Sequence, residues 1–450
     1  MNGDLVSMRP KIVVVVGTRP EIIKMASIIR AIQDDPTLDF ILVSSGQHYD
    51  YQLHKQFFDE LELPSPDVNL NIGSGTHAEQ TSRMLLEYEK VFKKYCPDLV
   101  LVEGDTNTVV AAGLVAIKLH IPLGHVEAGL RSYDRTMPEE INRRIAGVCA
   151  ELHFAPTETA ALNLLHEGVP PHKIFITGNT IVDACQQHLE IACQKSEILE
   201  HFGLNTDQRF AIVTVHRPEN VDSRPKLKQI ITILRSLKDV KLIFPIHPRT
   251  RKMLEKFELI KELEDANNIV LSKPIGYLDF LKLLSKSAFV LTDSGGIQEE
   301  AVTLKIPCLT LRNNTERPET VRMGANRLVG LNNELIRKFV NEILYSDLYK
   351  KVWKKPNPYG DGKTGRRIVD LSKSACLRGL KVPSSIFLKK GSGIYKLLKV
   401  NAGVDDKKLK ESSDINKSSI VLMYDQNGNP HFPDFQFLSK KGWSFLVLDE

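Results

Sequence analysis

One short segment of the chain gathers side chains that could transfer protons or bind anions. GHVEAGLRSYDRTMPEEINRR, residues 124–144, contains four carboxylates and four guanidinium groups: Glu127, Asp134, Glu139, Glu140, Arg131, Arg135, Arg143 and Arg144. Carboxylates in closed pockets act as general acids and bases, and arginine forks bind phosphate. A solvated helix face would have the same composition. The segment alone therefore leaves both interpretations open.

Polar side chains also follow several short apolar runs. Asp105 follows LVLVEG, and His216 follows AIVTV. If these runs are buried parallel strands, the two residues lie where open α/β sheets bind their ligands. Each residue could instead only cap the following helix.

A first apolar run, KIVVVV, leads into GTRPEIIK. Pro20 suits the first turn of a helix, because the N–H group that it lacks has no intrahelical partner there. The free N–H groups of that helix and the guanidinium of Arg19 predict an anion site. The alternative is an ordinary tight turn with an exposed arginine.

The second half of the chain repeats this arrangement in FVLTDSGGIQEEA. Ser294, Gly295 and Gly296 precede a helix, and the two glycines allow a diphosphate to approach the backbone. Glu300, one turn further on, could accept hydrogen bonds from ribose hydroxyls. A Gly-rich turn needed only for helix–strand packing explains the glycines equally well. A carboxylate in the first turn of a helix also interacts favourably with the helix dipole.

Two further residues have a functional and a structural interpretation. Arg317 in LRNNTERPETV could reach the same diphosphate, or it could be an exposed arginine. Phe280 in YLDFLKLL has the periodicity of a core residue, yet it could stack on a base.

Length and composition limit the class of protein. A chain of 450 residues with 42% hydrophobic and 26% charged residues predicts two or three globular domains. The net charge of +5 includes no dense Lys/Arg run, which argues against nucleic acid as a partner. Six scattered cysteines predict reduced thiols without zinc. The first apolar run is too short for a signal peptide or membrane span, so we expect a cytoplasmic protein.

The order of apolar runs predicts the fold class. Runs of β-branched residues without alternation are typical of parallel strands buried on both faces, and here they alternate with helix-like segments. The series occurs twice, which predicts two tandem Rossmann-like, doubly wound α/β domains with ligands bound at the carboxyl ends of their strands. We expect an N-terminal domain at 1–182, a second domain at 183–355, a closing helix at 356–372 and an extension at 373–450.

The extension differs in composition from the rest of the chain. Residues 397–419 are polar and lysine-rich, which indicates a flexible or surface segment. SIVLMYDQNGNPHF and GWSFLVLDE predict two strands, the first ending in an Asn-Gly turn. DQNGN does not fit a calcium loop, because its Gly is fourth rather than sixth.

Several motifs together resemble those of one family, the non-hydrolysing UDP-N-acetylglucosamine 2-epimerases. In order, they are GTRPE, GDT, HVEAGLR, PEE-x-NR, GNT, HR-x-EN, DSGG-x-QEEA and ERPE, within about residues 10–372. The resemblance implies a glycosyltransferase-B type fold, a homodimer and interconversion of UDP-GlcNAc and UDP-ManNAc. It also implies neither a metal nor another cofactor, and a place in nucleotide-sugar metabolism for polysaccharide biosynthesis. The family reaction eliminates UDP to a 2-acetamidoglucal and adds it back.

The resemblance also assigns roles to individual residues. Asp105, Glu127 and Glu139 would transfer protons, and His216 would assist the departure and return of UDP. Which carboxylate is acid and which is base stays open. Arg131 and Arg143 would hold these acids or the phosphates. The positions that match UDP-binding residues of the family are Arg19, Lys24, His216, Phe280, Ser294, Gly295, Gly296, Glu300 and Arg317.

A second nucleotide-sugar site is implied for the non-hydrolysing branch. Gln47 and His48 in SGQHYDYQ match a Gln-His pair of that branch, and His247 in FPIHP matches another residue of the same region. These residues would bind a second UDP-GlcNAc as an allosteric activator. Each could instead serve only loop geometry.

Two other functions use similar folds. A glycosyltransferase with UDP-GlcNAc as donor needs one base and an acceptor groove, so three carboxylates exceed its needs. A nucleotide-sugar sensor would bind without turnover.

Overall fold

The computed structural model describes residues 9–46, 57–204, 208–378, 395–399, 420–424, 430–431 and 444–448. The chain divides into two compact units. The first unit comprises residues 1–180 and 363–450, and the second unit comprises residues 181–362.

A seven-stranded parallel sheet forms the centre of the first unit. Its strands are β1 (Lys11–Val16), β2 (Asp39–Ser44), β3 (Val68–Asn69), β4 (Leu99–Glu103), β5 (Leu123–Val126), β6 (Leu152–Ala155) and β7 (Ile174–Ile176), in the order β3-β2-β1-β4-β5-β6-β7. The valines and isoleucines of β1 are almost fully buried, because helices cover both faces of such a sheet. The short β3, β6 and β7 were not predicted.

Helices connect these strands. They are Arg19–Gln33, His77–Tyr95, Asn107–Lys118, Pro138–Cys149, Glu158–His166 and Thr364–Arg378, with a 3-10 turn at Pro171–Lys173. The last of them packs on the first: Lys373 pairs with Asp35 at 2.8 Å. It begins at Thr364 rather than near residue 356, because NPYGDG places glycines with positive φ at Gly360 and Gly362.

The second unit repeats this plan with six parallel strands. They are β8 (Phe210–Thr214), β9 (Lys241–Pro245), β10 (Ile269–Ser272), β11 (Val290–Thr292), β12 (Cys308–Thr310) and β13 (Asn326–Leu328), in the order β10-β9-β8-β11-β12-β13. Its helices are Thr180–Lys195, Ile198–His201, Pro218–Val221, Arg224–Ser236, Pro248–Lys256, Ile260–Glu264, Tyr277–Lys286, Gly295–Thr303, Pro318–Met323, Asn333–Tyr345 and Leu348–Val352. Thr180, the first residue of the first helix, belongs to the other unit.

Each sheet has a topological switch point, where strand order reverses. It lies between β1 and β4 in the first unit and between β8 and β11 in the second. Connections leave neighbouring strands on opposite faces there, which opens a crevice at the carboxyl ends. Gly17 and Asp105 follow the first pair of strands, and His216 and Asp293 follow the second pair.

The extension contributes a separate antiparallel sheet. Its strands are β14 (Tyr395–Lys399), β15 (Ile420–Tyr424), β16 (Pro430–His431) and β17 (Ser444–Leu448), in the order β14-β17-β15-β16. The two segments predicted as strands contain β15 and β17. Residues 397–399 lie in β14, a strand that the sequence analysis did not predict. The predicted Asn-Gly turn lies outside the described residues.

In the part of the chain that the structure describes, no helix has the length and apolar character needed to cross a bilayer.

Two neighbouring strands place histidines in the core of the first unit. His125 of β5 is in register with His153 of β6, and both side chains are about 1% exposed. Burial disfavours the charged imidazolium and lowers the pKa of His125 to about 4 and that of His153 to about 3. His125 Nε2 bonds the carbonyl oxygen of Gly104 at 2.8 Å.

These histidines predict a loss of stability in acid. The folded chain binds fewer protons than the unfolded chain, so the free energy of unfolding should fall as pH drops from 6.5 towards 4. His153→Gln should reduce the slope by up to about 1.4 kcal/mol per pH unit. Urea unfolding from pH 7.5 to 4.5 measures this slope, with the exposed His201→Gln as the matched control. Equal slopes in the wild type and His153→Gln would contradict the prediction.

Gly129, after β5, predicts a second effect on stability. Its φ is +87°, and an added Cβ would lie 2.2 Å from the carbonyl oxygen of Ala160. Gly104 is a matched control, since its φ is +83° and no described atom lies within 4 Å of its Cβ position. Gly104→Ala should cost about 1 kcal/mol through backbone strain. Gly129→Ala should cost about 3 kcal/mol or more, because the clash adds to the strain. Equal losses in urea unfolding would show that the clash is relieved.

Candidate active site

The loop after β1 is closed by a carboxylate of the following helix. Glu21 accepts hydrogen bonds from the backbone N–H groups of Gly17 at 2.5 Å and Thr18 at 3.0 Å, and from the hydroxyl of Thr106 at 2.5 Å. These two N–H groups precede the helix Arg19–Gln33, so the anion site predicted from the free N–H groups of that helix and from Arg19 stays a prediction. Burial outweighs these donors and raises the pKa of Glu21 to about 7. Arg19 itself is exposed, with its guanidinium 5.2 Å from the ring centroid of Phe57.

Lys24, one turn further along this helix, lies between two buried carboxylates. Its Nζ is 3.0 Å from Glu103 Oε1 and 2.5 Å from Glu127 Oε2. Glu103 is the last residue of β4, and Glu127 follows β5 directly. Lys24 was predicted to bind UDP; the structure pairs it with these acids, and the UDP-binding role stays a prediction.

Glu127 has an unusual backbone conformation. Its φ is +64°, in the left-handed region that non-glycine residues seldom adopt. The conformation turns the chain out of β5, and Asn179 Nδ2 then donates to Glu127 Oε1 at 3.2 Å. Such strain at a carboxylate held by Lys24 and Asn179 is a common feature of functional sites.

Asp105 lies two residues beyond β4 and is held by an arginine. Arg143 Nη2 is 2.6 Å from Asp105 Oδ2, and the side-chain amide of Asn142 donates to the Asp105 carbonyl oxygen at 2.9 Å. Burial raises the pKa of Asp105, Arg143 opposes the rise, and the charge of Glu127 adds to it. Asp105 is therefore easier to protonate than an ordinary aspartate.

The structure divides the acids of residues 124–144 into two kinds. Glu139 is exposed and lines a cavity of about 340 Å³ together with Asp105. Glu140, its neighbour, is fully buried and accepts hydrogen bonds from the backbone and hydroxyl of Ser132 at 2.8 and 3.0 Å. Glu139 therefore belongs to a pocket, whereas Glu140 stabilises the loop that precedes it. The other residues around the cavity are Ser74, Gly75, His77, Gln80, Thr106, Asn107, Pro138 and Asn142.

The arginines of the segment divide in the same way. Arg143 bridges Asp105 and Glu140, as predicted for an arginine that holds the acids. Arg131 instead forms a bidentate ion pair with Glu167. Its Nε lies 2.8 Å from Glu167 Oε1, and its Nη2 lies 2.6 Å from Glu167 Oε2. The prediction that Arg131 holds the catalytic acids or the phosphates is therefore wrong.

A second group of polar residues lies at the switch point of the second unit. Asp293, fully buried after β11, accepts hydrogen bonds from the backbone N–H groups of His216 and Arg217 at 3.0–3.1 Å. Asn220 Nδ2 donates to it at 3.0 Å, and His216 Nδ1 lies 3.3 Å away. The aspartate thus fixes the HRPEN loop and one nitrogen of the His216 ring.

His216 keeps about a third of its side chain exposed. Burial lowers its pKa, the charge of Asp293 opposes this, and the neighbouring His247 adds to the lowering. The two imidazole rings lie 5.4 Å apart. His247 also caps a helix, since its Nδ1 accepts the N–H of Arg249 at 3.2 Å. A largely neutral imidazole at pH 7 can both accept and donate a proton.

The helix Gly295–Thr303 begins beside these residues. Ser294 is its N-cap residue, Gly295 is buried and Gly296 is exposed. An added Cβ at Gly295 would lie 2.9 Å from Glu316 Oε1, whereas at Gly296 it would meet no described atom within 4 Å. The start of this helix thus combines exposed backbone with the positive end of the helix dipole, a favourable place for phosphate oxygens.

Charged residues surround this helix start. Glu316 lies 3.0 Å from Arg312 and 3.4 Å from Arg217. Burial raises the pKa of Glu316. The charges of Arg317 and Arg312 together outweigh burial, and this pKa is lowered to about 2. Arg317 is buried, with its Nε 2.6 Å from Glu299 Oε1. Its predicted contact with the diphosphate stays a prediction.

The remaining predicted residues of the second unit are buried or half-buried. Glu300 is 8% exposed and faces Tyr277. Burial raises the pKa of the Tyr277 hydroxyl, and the charge of Glu300 adds to this rise. Phe280 is partly buried against the core of this unit. Their roles towards ribose and uracil stay predictions. Gln47 and His48 lie outside the described residues.

Three site residues were missed by the sequence analysis: Glu21, Glu103 and Asp293. Each lies inside a motif that was noticed, yet none was given a role. For Glu103 and Asp293 the available signal was a carboxylate at the end of a β-branched run, where an apolar residue is expected. For Glu21 it was the position three residues after Thr18, the spacing of a capping box.

Among the described residues, no group of three or more His, Cys, Asp or Glu side chains could hold a metal ion.

Comparison with known proteins agrees with this geometry. Residues 30–373 match the sequence profile of the UDP-N-acetylglucosamine 2-epimerase family. The chain is 51% identical over 363 residues to the UDP-N-acetylglucosamine 2-epimerase of Methanocaldococcus jannaschii, covering 80% of this chain and 98% of that relative. It is also 38% identical to the UDP-2,3-diacetamido-2,3-dideoxy-D-glucuronate 2-epimerase of Pseudomonas aeruginosa, covering 80% and 98%.

Solved structures agree as well. The M. jannaschii UDP-GlcNAc 2-epimerase in complex with UDP-GlcNAc and UDP matches with a TM-score of 0.71 and 49% identity, covering 80% of this chain and 99% of that chain. This match confirms the predicted glycosyltransferase-B type fold. The profile match ends at residue 373, before β14 to β17. The chain therefore belongs to the UDP-N-acetylglucosamine 2-epimerase family.

Proposed function

We propose that this protein is a non-hydrolysing UDP-GlcNAc 2-epimerase, which interconverts UDP-GlcNAc and UDP-ManNAc. The observation that carries the proposal is the acidic group at the switch point of the first unit. There, Lys24 joins Glu103 and Glu127, and Arg143 holds Asp105 beside a cavity. The second supporting fact is family membership over most of the chain.

The reaction needs groups that move a proton at C2 of the sugar. No carbonyl acidifies this proton, so elimination of UDP across C1–C2 gives a 2-acetamidoglucal, and re-addition delivers a proton to the opposite face. One carboxylate removes the first proton and another donates the second. Asp105, Glu127 and Glu139 supply these groups, and burial brings the pKa of Asp105 closer to the range that suits both steps.

The departing diphosphate needs positive charge and hydrogen-bond donors. The second unit supplies His216, oriented by Asp293, and the start of the helix Gly295–Thr303. The N–H group of the His216 imidazole and the helix N-terminus would stabilise the charge that develops on UDP. Return of UDP uses the same groups in reverse.

An assay without any acceptor tests the proposal. Purified protein is incubated with UDP-GlcNAc alone, and the sugar signals are followed by NMR. An equilibrium mixture containing UDP-ManNAc supports epimerisation, free N-acetylmannosamine and UDP indicate hydrolysis, and no conversion without an acceptor indicates a transferase or a sensor. In deuterated water the product should carry deuterium at C2, and retained protium would contradict proton exchange with solvent.

The sugar itself is a separate question. Since one relative is named for a diacetamido-glucuronate nucleotide, the same assay is run with UDP-2,3-diacetamido-2,3-dideoxy-D-glucuronate. A larger kcat/KM for this compound than for UDP-GlcNAc would overturn the substrate but keep the reaction.

Assembly, regulation and location belong to the same proposal. We expect a homodimer in the cytoplasm, with a second UDP-GlcNAc bound near His247 as an activator. Light scattering measures the mass in solution, and a sigmoidal rate dependence on UDP-GlcNAc that disappears in His247→Ala would support activation.

A further inference from the structure

We propose that Gln298 is a positioning residue for UDP binding: its buried amide holds residues 315–317 beside the start of the helix Gly295–Thr303, and so keeps Arg317 in place for the diphosphate. This inference rests on the proposed function, which assigns the diphosphate to that helix start, and on the predicted contact of Arg317 with it. Gln298 itself does not touch the ligand in this proposal.

The side chain of Gln298 joins the helix to the loop that follows β12. Gln298 is fully buried, one turn after the N-cap residue Ser294. Its Oε1 accepts hydrogen bonds from Thr315 Oγ1 at 2.7 Å and from Asn326 Nδ2 at 2.9 Å. Its Nε2 donates to the carbonyl oxygen of Ser294 at 3.2 Å. The amide oxygen therefore has both of its acceptor positions filled, one of them by the loop.

Asn326 connects this amide to the sheet of the second unit. It is the first residue of β13, and its Oδ1 accepts a hydrogen bond from Thr310 Oγ1 of β12 at 2.7 Å. Its Nδ2 also donates to Thr320 Oγ1 at 3.2 Å. These three side chains are fully buried. Because a buried network whose members are paired is rigid, the sheet determines the position of Gln298 and of the loop that it holds.

The network ends on the backbone of Arg317. Thr315 Oγ1 accepts a hydrogen bond from the Arg317 N–H group at 3.1 Å, and Thr320 Oγ1 donates to the Arg317 carbonyl oxygen at 2.8 Å. Both peptide groups of Arg317 are thus held by hydroxyls that belong to the buried network. The Arg317 side chain leaves this backbone towards the helix, where its Nε lies 2.6 Å from Glu299 Oε1.

The charges of this loop lie where the diphosphate is proposed to bind. Glu316 Oε1 would lie 2.9 Å from a Cβ added at Gly295, and Glu316 pairs with Arg312 at 3.0 Å. The bond between a guanidinium group and a phosphate depends on distance and direction. A loop that is no longer attached to Gln298 would move Arg317 relative to the helix start. Loss of the amide should therefore weaken UDP binding.

Calorimetry with UDP tests this role. Gln298→Met keeps an unbranched side chain of similar length but removes the amide, and Thr315→Val keeps the shape of threonine but removes the hydroxyl. We expect each variant to raise the Kd for UDP about 5- to 20-fold. Thr315→Ser keeps the hydroxyl and should stay within about 2-fold of the wild type. Thr303→Val is the matched control, because it removes a hydroxyl at the other end of the same helix, where Thr303 bonds Glu299 and Asn357.

Steady-state kinetics and a second background show whether Gln298 acts through Arg317. The diphosphate already carries most of its negative charge in the substrate, so Arg317 should bind the substrate and the transition state to similar extents. We expect the KM for UDP-GlcNAc to rise with the Kd for UDP, while kcat changes less than about 3-fold. In an Arg317→Ala background, Gln298→Met should raise the Kd no further. A second rise of about 5-fold or more in that background would overturn the inference.

A merely structural role would give another result. If Gln298→Met and Thr315→Val lower the free energy of unfolding in urea but bind UDP like the wild type, the inference is wrong. If Gln298→Met does not fold, the pair Thr315→Val and Thr315→Ser decides.

The binding measurements separate this inference from the proposed function. Calorimetry with UDP needs no turnover, so the Kd values decide the role of Gln298 even if the acceptor-free assay shows no epimerisation. Epimerisation by the wild type together with unchanged Kd values in the variants would overturn the inference and leave the proposed function intact.

Discussion

Replacing Asp105 with Asn is expected to lower kcat for epimerisation by about 10²–10⁴-fold while the Kd for UDP stays nearly unchanged. The amide keeps the size of the side chain but cannot take or release a proton at C2. It also weakens the contact with Arg143, which lies 2.6 Å away. NMR of the sugar measures turnover, and calorimetry with UDP measures binding.

The Glu139→Gln variant tests the same proton-transfer role at a second carboxylate. Glu139 lines the same cavity and should show a comparable loss of kcat. The matched control is Asp370→Asn, because Asp370 is exposed and pairs only locally with Arg366 at 3.2 Å in the described structure. Near-normal rates in either Asp105→Asn or Glu139→Gln would show that the residue is not a proton-transfer group.

Replacing Asp293 with Asn is expected to lower kcat/KM by about 10²–10⁴-fold. The buried carboxylate accepts hydrogen bonds from two backbone N–H groups and from Asn220, and an amide turns one of its acceptors into a donor. The loop that holds His216 should then lose its orientation. The charge of Asp293 raises the pKa of His216, so the imidazole should titrate at a lower pH in the variant.

NMR titration of the His216 ring measures this shift directly. Ser294→Ala is the control for a change in the same loop that leaves the charge of Asp293 intact. If the His216 ring titrates as in the wild type while kcat/KM falls, Asp293 acts only by holding the backbone, and the electrostatic part of the prediction is wrong.

Much of the fold could be predicted because its signals are local. Runs such as KIVVVV and FAIVT contain β-branched residues without alternation, and they lie in β1 and β8. Most of the strands that were missed are short, although β14 has five residues. β3 has two residues and β13 three, too few for any periodicity to show.

The site could be predicted only in part, because its contacts join distant positions. Lys24 and Glu127 are separated by 103 positions, and His216 and Asp293 by 77. The strand-end rule found Asp105 and His216 individually. No local pattern showed that Arg131 would pair with Glu167, since this contact depends on side-chain direction after folding.

The order of strands in the extension has a consequence for biosynthesis. β17, the last strand in the sequence, lies between β14 and β15 and pairs with both. The sheet therefore cannot be completed until the ribosome has translated residue 448. A nascent chain arrested before residue 444 would leave β14 unpaired and would expose the edge of β15 that faces away from β16, a state prone to intermolecular pairing.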